Sequence, residues 1–117
     1  MVTIDQVRQL ALSLPETEEV EHWGKPSFRV RNKIFAVIQL DGVSLVIKTT
    51  KDDLLAYTTM APEVYRIPDS FSNLAFMIVR MDRVDSGEFR DLLMLAWSLV
   101  SPKKVVKAYY AAIQGRK

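Results

Sequence analysis

The segment HWGKPSFRVRNK, His22–Lys33, gathers four cations, the chain's sole histidine and one of its two tryptophans, and holds no acid. Two chemistries follow from these residue types. Guanidinium and ammonium groups in close succession make charge-assisted contacts to phosphates or carboxylates. An imidazole held by a partner acts as a general base or a metal ligand. His22 has no second histidine at H-x-x-H or H-E-x-x-H spacing, and no cysteine exists to complete a ligand set, so it reads as a structural or loop histidine. Trp23-Gly24-x-Pro26 reads as a strained entry to a sheet, with Trp23 packing and Gly24 turning. The acidic run ETEEVE, Glu16–Glu21, lacks the spacing of a calcium loop and reads as solvated. Asp52 and Asp53 are better explained by helix capping than by acid/base work. The chain has no Gly-rich phosphate loop, no G-x-S-x-G elbow and no Ser/His/Asp set. These residues therefore predict no catalytic residue, no metal and no cofactor.

Bulk properties narrow the setting. The 117 residues suit one domain, 1–117, and the 49% hydrophobic and 26% charged content is that of an ordinary globular protein. The lack of cysteine fits a reducing cytoplasm. No apolar run reaches the length of a membrane span, and MVTIDQVRQL lacks the basic-then-apolar pattern of a signal peptide. Net charge is only +2, but it is unevenly placed. Four acids and no base lie in Glu16–Glu21, and six bases against Asp41 lie in Lys25–Lys51. Five bases and no acid lie in Lys103–Lys117. A polyanion responds to such patches more than to the total.

The positioning elements follow from periodicity. Thr3-x-x-Gln6 is a capping box, and Ile4, Val7, Leu10, Ala11 and Leu14 give helical spacing over 4–14, stopped by Pro15. Three strands follow at Ser27–Arg31, Lys33–Leu40 and Val43–Thr49, the last two joined by a two-residue Asp41-Gly42 turn. Thr50 caps a helix that runs to about Met60, and Ala61-Pro62-Glu63 begins a short turn. Pro68, Asp69, Ser70, Ser72 and Asn73 mark a loop before a strand at Phe76–Asp82. Asp85-x-x-Glu88 caps a helix whose stripe is Phe89, Leu92, Leu93, Ala96, Trp97 and Val100, widened by Leu95 and Leu99. Ser101-Pro102 reads as N-cap and first helical position of a last helix, 102–114, ending near Gly115. Its Lys103 and Lys107 read either as a second phosphate-contact surface or as a soluble helix end. The order predicts an α+β fold: an antiparallel sheet of about four or more strands, with helices packed on one face.

Alternation along the strands distributes the charge. The Asp41-Gly42 turn pairs Leu40 with Val43, Ile38 with Leu45 and Ala36 with Ile47 on a wholly apolar face. Phe35, Val37, Gln39, Ser44, Val46 and Lys48 occupy the other. A plain two-residue loop before Lys33 would drive Arg29 and Arg31 into the core, at a large cost in unpaired buried charge. An odd-length loop or a bulge is therefore expected, with Asn32 in the left-handed conformation. Phe28 and Val30 then join the core, and Arg29 and Arg31 join Phe35 and Lys48 outside, with Lys25 and Lys33 near the ends. That outer face is either a solvated sheet surface or a binding face. Phe35, Val37 and Val46, apolar with no evident reason to be, favour the second.

The stretch LSLPETEEVEHWGKPSFRVRNKIFAVI resembles the MmcQ/YjbR family, with its pattern LPxxxE…WGxPxFrvxxKiFa at Leu14-Pro15, Glu19, Trp23-Gly24, Pro26, Phe28, Lys33 and Phe35. Lys48, Ala61-Pro62-Glu63-Val64-Tyr65 and Ala96–Lys103 resemble later family segments, so the likeness spans nearly the whole chain. Leu74-Ala75-Phe76 stands where the family commonly has a tryptophan. The resemblance implies a CyaY/frataxin-like, double-wing α+β fold and a DNA-binding role. Together the two lines predict a non-enzymatic DNA-binding module in which Arg29, Arg31, Lys33 and Lys48 contact phosphates, Lys25 assists and Phe35 packs on sugar or base. The competing readings are an adaptor using the same face for an acidic protein partner, and an enzyme or small-ligand binder around His22 and Trp23.

Overall fold

The computed structural model describes residues 1–68 and 75–114. Its elements in chain order are α1 Ile4–Ser13, β1 Thr17–His22, β2 Lys25–Val30, β3 Lys33–Ile38, β4 Ser44–Lys48, α2 Lys51–Met60, β5 Tyr65–Arg66, β6 Phe76–Arg80, α3 Ser86–Val100 and α4 Lys103–Gln114. The strands form a six-stranded sheet in the order β1-β2-β3-β4-β6-β5, every neighbouring pair antiparallel. The fold is thus α+β, with two strands, β1 and β5, beyond those the sequence patterning predicts. The expected loop at 69–73 and the helix end at Gly115 lie outside the described residues.

One face of the sheet carries Phe28, Val30, Ala36, Ile38, Leu45, Ile47, Met77, Val79 and Tyr65, all buried. α3 covers it with the predicted stripe Phe89, Leu92, Leu93, Ala96, Trp97 and Val100; Leu99, expected to widen that stripe, is exposed. Leu54 and Tyr57 of α2 and Val105, Val106 and Tyr109 of α4 pack against the same core. Trp97 is fully buried, donates from Nε1 to the Pro15 carbonyl at 2.9 Å and meets Tyr109 edge-on at 5.1 Å. It ties α3 to the turn that launches β1. The capping box at Thr3 and Gln6 and the caps at Thr50 and Asp85 form as their sequences predict. Ser101 instead donates its hydroxyl to the Trp97 carbonyl and closes α3, while the Pro102 carbonyl opens α4.

Three hairpins set which side chains leave the core. β1 and β2 are joined by Trp23-Gly24, both at positive φ (56° and 79°). β2 and β3 are joined by Arg31-Asn32, again both positive (49° and 68°). Two residues at positive φ are what a type I′ hairpin turn demands. The β2–β3 register then slips between Phe28 and Arg29: Phe28 pairs with Ala36, yet Arg29 pairs with Ile34. Phe35 is the extra residue of this bulge, and both it and Ala36 are buried. The expected bulge is therefore real, but it turns Phe35 into the core rather than onto the outer face. The β3–β4 connection departs from a two-residue turn. Gly42 donates to the Gln39 carbonyl and alone takes positive φ, while Leu40 is 77% exposed and unpaired with Val43. The Asp41 carboxylate causes this opening, accepting from the backbone N–H of Val43 and Ser44 and from the Ser44 hydroxyl at 2.7–2.9 Å.

Candidate functional site

Among the described residues, no helix covers the second face of the sheet. Its central row crosses all six strands as Val20, Ser27, Val37, Val46, Ile78 and Arg66. On one side lie His22, Lys25, Gln39, Ser44 and Arg80; on the other lie Glu18, Arg29, Ile34, Lys48 and Phe76. None of Ile34, Val37, Val46, Phe76 and Ile78 belongs to the core cluster, although Val46 is only 9% exposed. The face is therefore an apolar floor with a polar margin. Two shallow cavities sit on it. One of about 200 Å³ is lined by His22, Lys25, Ile34, Val37, Gln39, Val46 and Phe76. Another of about 300 Å³, towards Arg66 and Ile78, shares Lys25, Gln39 and Val46 with it.

Hydrogen bonds hold the polar margin in place. The Arg29 guanidinium donates to Ser27 Oγ at 3.2 Å and Asn32 Oδ1 at 3.1 Å, and contacts His22 Nδ1 at 3.2 Å. A guanidinium offers only donors, so Nδ1 accepts and the imidazole carries its proton on Nε2. All three partners are neutral, so the Arg29 charge is oriented but not cancelled. Lys25 Nζ donates to Gln39 Oε1 at 3.3 Å, and Gln39 Nε2 donates to the Val37 carbonyl at 3.1 Å. Lys48 Nζ lies 5.2 Å from the centre of the Phe76 ring, a cation–π contact. Among the described residues, none of Lys25, Arg29, Lys48 and Arg66 has a carboxylate within ion-pair distance. Glu18, the one acid opposite Arg29 in the register, makes no such pair. Arg8, Arg31 and Arg80 are by contrast matched to Glu19, Glu16 and Asp82, all off this floor or at its edge.

The expected contact residues divide accordingly. Lys25, Arg29 and Lys48 share the open face. Arg31 sits in the β2–β3 turn, with Nε 2.8 Å from Glu16, which raises its pKa by hydrogen bonding and charge. It does not join the face, because the turn takes it out of the strand alternation. Lys33 is exposed but pairs with core-facing Val30, at the rim of the helix-covered side. Phe35 is buried and can touch no ligand. Trp23, expected to pack, is 88% exposed, and among the described residues its sole ring contact is with His22, edge-on at 6.2 Å. His22 does line a cavity, but its hydrogen-bond partner is a cation rather than a carboxylate. The acidic run splits: Glu16 binds Arg31 and Glu19 binds Arg8, and no metal-ligating group of three forms among the described residues.

Sequence reasoning missed Arg66, Ile34 and Ile78. Arg66 belongs to a two-residue strand between two prolines, too short for any periodic signal. No described helix is long and apolar enough to cross a membrane.

Comparison with known proteins places the fold. The structure superposes on the crystal structure of Deinococcus radiodurans protein DR2400, domain family DUF419, with a TM-score of 0.78. Identity is 20%, over 89% of this chain and 82% of that one, so the likeness is one of fold. No curated protein matches the sequence. The sequence model of the YjbR family matches residues 12–99, which include β1 to β4, β6 and nearly all of α3, and the chain belongs to the YjbR family.

Proposed function

We propose that the protein is a non-enzymatic DNA-binding module, cytoplasmic, whose open sheet face contacts the phosphate backbone through Lys25, Arg29, Lys48 and Arg66. The observation that carries this reading is a set of four cations, none with a carboxylate partner among the described residues, on the sheet face opposite the helices. By contrast, Arg8, Arg31 and Arg80 are matched to acids. On this face the chain holds Arg29 between neutral acceptors, which fixes the charge and leaves further N–H groups for an anion. Phosphates are the dense array of anions that suits such a surface. Backbone contacts of this kind position a nucleic acid without reading its sequence.

The experiment is a comparison of substitutions on and off the face. Lys25→Ala, Lys48→Ala and Arg66→Ala are each expected to weaken binding of a labelled DNA measurably at low salt. Lys33→Ala and Lys103→Ala, off the face, are expected to leave it within about twofold. Equal losses from both groups would mean diffuse attraction to net charge and would remove the face from the reading. The apolar floor favours a second reading, an adaptor that binds an acidic protein segment. Saturable binding of a polyglutamate peptide with no affinity for DNA would select it.

A further inference from the structure

We infer that the DNA this face accepts is single-stranded, with one unpaired base seated in the cavity between His22 and Phe76 and a neighbouring base stacked on Trp23. The inference rests on the DNA-binding reading of the same face and deepens it. Three features carry it.

The first is the floor. Ile34, Val37 and Val46 line the cavity at the centre of the cationic margin. The rigid, charged and hydrated backbone of a duplex gains nothing from aliphatic side chains, whereas the face of an unstacked base does. At about 200 Å³ the cavity lies below the range for drug-sized ligands and suits a single ring system.

The second is the polar equipment at the cavity wall. Gln39 uses Oε1 once, for Lys25, and Nε2 once, for the Val37 carbonyl. Its amide retains one donor and one acceptor position. His22, fixed by Arg29, retains the Nε2 proton. These groups can meet the Watson–Crick edge of a base, which is exposed only in a single strand.

The third is Trp23. A bulky residue at φ 56° is a backbone outlier. At 88% exposure this one recovers almost nothing through packing. It stands edge-on to His22, whose ring lines the cavity, at 6.2 Å. Strain retained without a packing return is an observation that points to use, and the use that suits a solvent-exposed indole next to a cationic groove is stacking.

The test uses the intact protein and fluorescence anisotropy with four labelled probes at one salt concentration. They are a mixed-sequence single-stranded 12-mer, the same strand with its central residues made abasic, the corresponding 12-bp duplex, and the RNA of the same sequence. The single strand is expected to bind at least about 30-fold more tightly than the abasic strand, the fold-change two stacked bases provide, and more tightly than the duplex. Val37→Phe, which fills the cavity and removes no charge, is expected to reduce that preference to the roughly 5- to 150-fold that the base on Trp23 alone provides. Circular dichroism checks its fold. Equal binding of intact and abasic strands would overturn the base pocket and leave the phosphate reading standing. Tighter binding of the RNA would overturn the choice of DNA. No binding of any probe at low salt would overturn both readings.

Discussion

Trp23→Asn separates the cost of this residue from its use. Left-handed φ costs an ordinary L-residue roughly 1–2 kcal/mol, and Asn tolerates it far better, so Asn-Gly is a favoured type I′ pair. Relief of about 1 kcal/mol is expected at φ 56°. Against it stands the small apolar area that the indole covers. With Trp23 88% exposed, only roughly 30 Å² of a side chain that could bury 150–250 Å² is shielded from water, worth about 0.7 kcal/mol as an upper bound. The two terms nearly cancel, with a slight balance towards greater stability. Urea denaturation is thus expected to move by less than about 0.5 kcal/mol, or upward. Single-stranded DNA binding by anisotropy is expected to fall about 5- to 150-fold, as removal of one stacked base would give. A destabilisation beyond about 1 kcal/mol would refute the reasoning, because Trp23 would then pack in solution. Unchanged binding in a normally stable variant would remove Trp23 from the site.

Other substitutions test the remaining links. Arg31→Ala is expected to change DNA binding by less than twofold in the same assay, since Arg31 lies in a turn and is paired with Glu16. Trp97→Phe keeps an aromatic ring in the core but leaves the Pro15 carbonyl without its donor. A loss of about 1–3 kcal/mol in urea denaturation is expected. Asp41 is held below the usual carboxylate range, first by the Val43 amide and then by the Ser44 hydroxyl. A depressed folded-state pKa adds stability above the unfolded value, about 3.9, and that stability is lost as pH falls through the folded value. The stability gap between wild type and Asp41→Asn, followed by denaturation from pH 6 to pH 2, is therefore expected to be full near pH 6 and to close below about pH 4.

How legible these features were depends on where their causes lie. α3 could be read from its stripe because burial on one helix face leaves a regular spacing, and all six expected residues are buried. The irregularity of the β2–β3 hairpin could be inferred because an odd-length loop or a bulge is needed to keep Arg29 out of the core; the structure uses the bulge, and Arg29 does lie outside. Which residue the bulge would displace was not legible. Alternation alone sends Phe35 outward, and the extra residue sends it inward. β1 was hidden because its one ion-paired acid among the described residues, Glu19, meets a distant partner, Arg8 on α1, which no local pattern reveals. As an edge strand with one apolar residue on its open side, it has no hydrophobic alternation. The site followed the same division. Lys25, Arg29 and Lys48 come from strands with readable alternation, whereas Arg66 arrives through β5, paired to β6 from outside any periodic segment.

The most direct test of the central claim is the salt dependence of DNA binding by the wild-type protein and by the Lys25→Ala/Lys48→Ala double variant. With Lys25, Arg29, Lys48 and Arg66 on phosphates, log affinity is expected to fall linearly with log salt, with a slope of about −3 on a single strand. The double variant is expected to lose affinity and to flatten that slope to about −1.5. No binding at low salt, or a slope the double variant leaves unchanged, would contradict the account.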